Sequence, residues 1–474
     1  MSAAKLWQLS ASKVVEATTT GELSAEAVTT AALARLDEVN PELNAVVVPT
    51  PEDAMARARE LDQARNAGTP TGPLHGVPVT IKINVDQAGQ ATSNGIEAFK
   101  SLIASDNAPL VQHLLDAGAV IIGRTNTPEF SFRADTDNPL HGRTWNPWGR
   151  HVSPGGSSGG AGAAVMAGIG ALGHGNDIGG SLRFPAAANG AYTVKPGLGR
   201  VPAYNPSQKA ERGMLAQAMS VQGLLTRTAA DLDLGMPVMV QPDARDPFHV
   251  PLPWRGAPLD TPIQVGFTKA TFGFELHPEV DKALDAAANA LRDAGYDVVD
   301  VEAPMLEEIG LTGYRVLMGE VQEMMGADIE KYGSDTLKAI FAEYFRQFPP
   351  YEGNELLQMM AKRSYYARVW SEFLQRYPLV LTPFLPQPFF SPNRDAEGAD
   401  GVREALGSGL WSYSMNYMGL PAGNLPVHVA SLPQGPQPIN VQLVGQRWRE
   451  DLIVDAMQAM EHRLGNPCEQ LWTL

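Results

Sequence analysis

Cysteine is almost missing from this chain: Cys468 is the only one among 474 residues. That excludes a disulfide framework within the chain and any metal site built from cysteines. Histidine is sparse as well, and none of the nine stands in HExxH or HxH spacing, so no metal is expected. Positive charge is in deficit: 36 Lys and Arg against 52 Asp and Glu leave a net charge of −16. A basic surface for nucleic acid or an anionic membrane is therefore not expected. No apolar run approaches the roughly 20 residues of a membrane span. The opening MSAAKLWQLSASK also lacks the continuous apolar stretch of a signal peptide. These absences predict a cytoplasmic protein. No segment is poor enough in apolar residues to be a disordered linker, and the hydrophobic fraction of 44% is ample for a large core.

What is present alternates between two periods. Val28, Ala31, Ala32, Leu36 and Val39 recur at helical spacing, with Ser24 as N-cap and Asn40-Pro41 as the stop. From Gly76 to Val85 the period is two: Val77, Val79, Ile81, Ile83 and Val85 share one face of a strand. Lys82 falls on the other face with Thr80 and Asn84. Residues 110–117 read as a helix and 119–122 as a strand; 160–172 as an Ala- and Gly-rich helix; 278–294 as an amphipathic helix before a strand near 298–301. The alternation predicts an α/β fold, with no fixed-period repeat. Residues 305–403 differ, being rich in Met and aromatics and ending in the proline-rich stretch 382–388. They are expected to form a helical cover and then a long loop.

The chemistry-bearing residues sit among glycines. Ser157 lies in Gly155-Gly156-Ser157-Ser158-Gly159-Gly160, and Ser181 in Asp177-Ile178-Gly179-Gly180-Ser181-Leu182-Arg183. Glycine clears space around a neighbouring hydroxyl and lets the backbone turn its N–H groups outward. Each feature also has a structural reading. Lys82 suits an ion pair or a snorkelling side chain, the Ser157 run a flexible turn, and the Ser181 run a turn pinned by Asp177 and Arg183. Gly155 to Gly159 fits the G-x-S-x-G elbow of α/β-hydrolases, but that elbow comes after an apolar strand and here comes after a loop. Gly168 to Gly173 fits G-x-G-x-x-G, but it ends a helix-like segment instead of opening one. No nucleotide loop remains, and no cofactor is expected.

Taken together, the segments 72–86, 118–130, 146–168, 173–201, 221–232 and 416–427 resemble the amidase signature family. Lys82 and Ser157 stand 75 positions apart, and Ser157 and Ser181 stand 24 apart; both separations suit that family. The resemblance implies one α/β domain over 1–474, a mixed sheet core flanked by helices on both faces. Its core would span about 60–235 plus 410–474, with a variable cover over the active site at about 305–405. It implies a Ser-Ser-Lys triad in which neutral Lys82 takes a proton through Ser157 from the nucleophile Ser181, forming an acyl-enzyme. An ordinary lysine titrates near ~10.4, so burial has to bring its pKa down toward neutrality. The resemblance further implies a cis peptide bond at Ser157 and an oxyanion hole from the backbone of Ile178, Gly179, Gly180 and Ser181. Asp177 and Arg183 would support the turn, and Thr127, Phe130 and Ser131 would contact substrate.

The family cleaves fatty-acid, aryl, peptide and oligoamide bonds, and it includes the glutamine-hydrolysing component of a tRNA-dependent amidotransferase. For this chain the expected reaction is hydrolysis of a small or medium, largely apolar amide, by a monomer or homodimer using only substrate and water. Esters and carbamates have similar carbonyls. The alternatives are the glutamine-hydrolysing amidotransferase component, a non-catalytic binding protein on the same fold, and an α/β-hydrolase with Ser157 as nucleophile.

Overall fold

The computed structural model describes residues 3–472, with side chains from residue 5 onward except that of Cys468. The strands are β1 (Val46–Pro49), β2 (Pro78–Lys82), β3 (Val120–Thr125), β4 (Leu172–Asp177), β5 (Tyr192–Lys195), β6 (Val221–Thr226), β7 (Gln264–Phe267), β8 (Asp297–Asp300), β9 (Leu379–Pro383), β10 (Ala422–Leu432) and β11 (Gly435–Gly445). They form one 11-stranded sheet in the order β1-β3-β2-β4-β6-β5-β10-β11-β9-β7-β8. It is mixed: β2 runs parallel to β3 and β4, and β7 runs parallel to β8 and β9. The β10–β11 hairpin is antiparallel, and so are the β4–β6 and β5–β6 pairs.

Both faces of the sheet are buried, and each strand divides its side chains between them. In β9, Leu379 and Leu381 belong to one apolar core and Val380 to the other. In β2, Val79 and Ile81 join the first core, while Thr80 and Lys82 are buried without belonging to either. This is the α/β architecture the sequence predicts, in a single domain.

Several boundaries differ from the sequence reading. The first long helix runs Ala25–Leu43, past Asn40-Pro41. Its Ser24 cap is as expected, accepting from the Ala27 N–H at 3.0 Å. Pro41 sits in the last turn, where it breaks little of the ladder, and the helix ends on left-handed Asn44. The Ala/Gly helix is short, Gly159–Met166, and Leu172 already belongs to β4. The cover does contain three helices, Leu306–Tyr332, Asp335–Gln347 and Gly353–Arg376. The chain beyond them is not simply a loop. Leu379–Pro383 is β9, fully buried and hydrogen-bonded between β11 and β7. Among the described residues, no helix is long and apolar enough to cross a membrane.

Candidate active site

Lys82 is the last residue of β2, and its side chain is fully buried. Its Nζ lies 2.7 Å from Ser157 Oγ, 3.0 Å from Ser158 Oγ and 2.8 Å from Asn176 Oδ1. Burial holds this amine well below the ordinary lysine range, and the pull of the Asp177 carboxylate in the other direction does not overcome it. The carboxylate is not a contact partner of the amine, so the structural ion-pair reading of Lys82 does not describe it.

The turn carrying Ser157 lies hard against neighbouring backbone. A Cβ on Gly156 would sit 2.3 Å from the Arg133 carbonyl oxygen, so only glycine fits there. The Gly156–Ser157 peptide bond is cis. The Ser158 N–H donates to the Ser181 carbonyl at 3.2 Å, which ties the two serine turns together. The Thr136 hydroxyl donates to the Gly155 carbonyl at 2.7 Å from the other side.

Asp177 organises the Ser181 turn. Its Oδ1 accepts from the Gly180 N–H at 2.8 Å and its Oδ2 from the Leu182 N–H at 3.1 Å. Arg183 forks onto both oxygens, at 3.0 and 3.1 Å. Burial works against the charge on Asp177, but the guanidinium of Arg183 outweighs it and holds the acid at about 2. The expected Asp177–Arg183 pair is therefore present and fully buried. One expectation changes here. The Gly180 N–H is engaged by Asp177 and is not free to face an oxyanion. The amides of Ile178, Gly179 and Ser181 have no hydrogen-bond partner among the described residues. Gly180 instead serves by its shape: at φ 131° it takes a conformation that side chains rarely adopt.

A model of the Amidase family matches residues 27–454. This chain belongs to the amidase signature family. It is 44% identical over 468 residues to an indoleacetamide hydrolase of Bradyrhizobium diazoefficiens, an alignment covering 98% of this chain and 88% of that one. It is 31% identical to a glutamyl-tRNA(Gln) amidotransferase subunit of Deinococcus deserti, with 96% of each chain covered. Among solved structures it resembles 6-aminohexanoate cyclic dimer hydrolase complexed with substrate: 27% identity, TM-score 0.82, covering 98% of this chain and 99% of that one. The protein is thus an amidase that hydrolyses C–N amide bonds.

Two cavities of this amidase meet at Ser181. The larger, of about 440 Å³, is also lined by Ser157, Asn84, Asn176, Phe130 and Ser131. The smaller, of about 50 Å³, is lined by Ser131, Ile178 and Gly179 and by a set of aromatic rings including Phe132, Phe341 and Tyr344. Phe130 and Ser131, the two expected substrate contacts with left-handed backbone at φ 52° and 60°, line the larger cavity. Thr127 does not line either cavity. It is fully buried, and its hydroxyl lies 2.9 Å from that of Ser131. Its place is behind the lining.

Sequence reasoning missed the polar groups around Lys82. Asn176 Nδ2 donates to Asn84 Oδ1 at 2.9 Å, and Asn84 Nδ2 donates to Ser131 Oγ at 3.0 Å. An amide relay thus runs from the cavity lining to Lys82. His174, two residues before Asn176, is fully buried, and its ring nitrogens meet the Lys82 N–H at 3.4 Å and Gln222 Oε1 at 3.0 Å. Burial, aided by Lys82 and Arg124, pushes this histidine down to about 3, so it stays neutral. The sequence alternation over 76–85 placed Asn84 on the face of Lys82, although the strand itself ends at Lys82 and Asn84 lies in the turn after it. Nothing local marked Asn176. Among the described residues, no group of three or more His, Cys, Asp or Glu could hold a metal ion.

Proposed function

We propose that this amidase hydrolyses small primary arylacetamides to the arylacetic acid and ammonia, through a Ser181 acyl-enzyme with Lys82 as base. The observation that carries the chemistry is the buried Lys82 amine 2.7 Å from Ser157 Oγ, with Ser157 and Ser181 lining the same cavity. The aromatic lining of the smaller cavity beside Ser181 supports a ring in the acyl group, and so does the likeness to an indoleacetamide hydrolase.

Neutral Lys82 takes the Ser157 hydroxyl proton as Ser157 takes that of Ser181. Ser181 Oγ adds to the amide carbon, and the carbonyl oxygen becomes an oxyanion facing the amides of Ile178, Gly179 and Ser181. Losing one such donor typically costs about 3 kcal/mol of transition-state stabilisation. The proton returns through Ser157 to the nitrogen, the C–N bond breaks and ammonia leaves. Water then gives a proton to the same relay and adds to the ester. The acid departs as Ser181 Oγ regains a proton.

The test is an adduct map with a fluorophosphonate, beside turnover of indole-3-acetamide, an anilide, an alkyl amide, an ester and a carbamate, all without ATP or tRNA. An adduct on Ser181, lost in Lys82→Ala, with arylacetamide turned over fastest, is the expected result. An adduct on Ser157 instead, or none on folded protein, overturns the mechanism. Turnover that depends on ATP or tRNA moves the protein to the amidotransferase reading.

A further inference from the structure

The two residues before Ser157 are seated against one neighbouring segment, residues 133–136. The Gly155 carbonyl accepts from the Thr136 hydroxyl at 2.7 Å. The Gly155 N–H donates to Ser153 Oγ at 3.0 Å, and the Ser153 hydroxyl donates in turn to Asp135 Oδ1 at 2.6 Å. A Cβ on Gly156 would lie 2.9 Å from the Asp135 backbone nitrogen, so the backbones touch as well. Asp135 is fully buried, and its two oxygens meet four donors. Oδ1 takes the Ser153 hydroxyl and the Thr136 N–H. Oδ2 takes the Arg143 guanidinium and, at 2.8 Å, the Asn393 N–H. A carboxylate accepts on both oxygens, whereas an asparagine would set its own hydrogens against two of those donors. A buried charge is costly unless it is paired and hydrogen-bonded, and a buried ion pair is weak evidence of a purely stabilising role. What this charge secures is the direction of one hydrogen. With its hydrogen on Asp135, Ser153 has only lone pairs left to offer the Gly155 N–H.

We propose that Asp135 is a positioning residue for Ser157: through Ser153, and beside Thr136, it holds both polar groups of Gly155 and so sets where the Ser157 hydroxyl stands, 2.7 Å from Lys82 Nζ. The inference rests on the proton relay proposed above. It also brings the chain beyond β9 to the site. Asn393 is a partner of Asp135, and the Asp395 carboxylate accepts a fork from Arg133 at 2.8 and 3.1 Å. A reacting group misplaced by about 1 Å costs about a hundredfold in rate. Neither Ser153 nor Thr136 lines the two cavities at Ser181, so their loss should reach kcat through Ser157 and leave KM alone.

The experiment removes the two anchors one at a time in the full-length enzyme: Ser153→Ala, and Thr136→Val beside Thr136→Ser, which keeps the hydroxyl. Asp135→Asn and Ser157→Ala are the companions. Each is measured for kcat and KM on the fastest amide of the panel above, for the rate of fluorophosphonate labelling at Ser181, and for its thermal midpoint. In Ser153→Ala, Thr136→Val and Asp135→Asn, kcat and labelling should fall together by about tenfold to a hundredfold with KM within about twofold. Thr136→Ser should recover most of kcat. Folded Ser153→Ala and Thr136→Val with wild-type kcat, a loss carried by KM, or a Thr136→Ser as impaired as Thr136→Val overturns the inference; an inactive Ser157→Ala then leaves the relay standing. A fully active Ser157→Ala overturns the relay and the inference with it. The Thr136 pair, close in size to the natural residue, decides the matter even if the Asp135 or Ser153 variant does not fold.

Discussion

A neutral lysine has two hydrogens and one lone pair, and the Lys82 amine has three oxygen neighbours. Asn176 can offer it only an acceptor, because its Nδ2 is committed to Asn84. The Ser158 hydroxyl is 3.3 Å from the Asn176 carbonyl, where it can donate, leaving its oxygen to accept from Lys82. Those two acceptors take both hydrogens, and the lone pair is left facing Ser157. In the proposed mechanism, Asn176 is therefore a positioning residue for Lys82. Asn176→Asp places a carboxylate on the amine and stabilises its charged form. At pH 7 the neutral base should become about tenfold to a thousandfold scarcer, and the acidic limb of the pH–kcat/KM profile should move to higher pH. An unmoved limb would sink this role. A second buried amine, Lys195, donates to the Pro196 carbonyl at 2.9 Å. Burial first, then Arg183, brings it down to about 7. Between that value and the ordinary ~10.4 the unfolded chain binds more protons than the folded one, so this residue makes stability rise with pH across that window. Lys195→Met should stabilise the fold most at and below pH 7, with the gain shrinking toward pH 10. Denaturant titrations at several pH values check this.

At the scale of elements, the cavity-lining turn and the helices of 306–376 are joined by one buried carboxylate. Glu129, in the turn with Phe130 and Ser131, accepts from the Ser334 N–H at 2.8 Å and from the Ser334 hydroxyl at 2.5 Å. Ser334 is the N-cap of the helix Asp335–Gln347, which supplies Phe341 and Tyr344 to the small cavity. Glu129→Ala should cost about 2–3 kcal/mol and raise KM more than it lowers kcat, because the cavity wall loses its anchor while Lys82, Ser157 and Ser181 keep theirs. Steady-state kinetics and a thermal melt separate the two effects. How much of this was legible in sequence depends on how local the signal is. The period-two pattern around Lys82 and the glycine runs at Ser157 and Ser181 are local, and they marked the residues that the fold brings to one cavity. Tyr314, Tyr344 and Tyr413 come from three helices, and no single segment marks them as one wall. Thr127 lies in the expected segment, but it is fully buried, and its hydroxyl meets that of Ser131, which lines the cavity in its place. Gly180 lies in the expected turn, but the Asp177 carboxylate reaches its N–H first.

At the scale of the whole molecule, the sheet does not stop where the site ends. β9 comes after the cover helices in sequence but lies between β11 and β7 in space, so β7 and β8 are attached to the rest of the sheet through it. Its sequence hid this. Prolines at 383, 386 and 388 read as loop, yet Pro383 closes the strand, where a missing N–H is tolerated. The hairpin strands carry Pro426 at a register shift, and Pro436 and Pro438 where the hairpin extends past the residues paired with β5 and β9. Leu381 in β9 is fully buried, pairs with Leu443 of β11 and Phe267 of β7, and packs into the core on one face of the sheet. Leu381→Ala should cost about 2–5 kcal/mol through lost burial and the cavity left behind. Because the sheet is continuous, the loss should be felt at Ser181 as well as at β7 and β8. Melting monitored by far-ultraviolet circular dichroism and by residual amide hydrolysis should shift together, to the same lower midpoint. Two separated midpoints, with activity surviving the first, would show that β7, β8 and β9 fold as a unit apart from the site and that the sheet does not couple them.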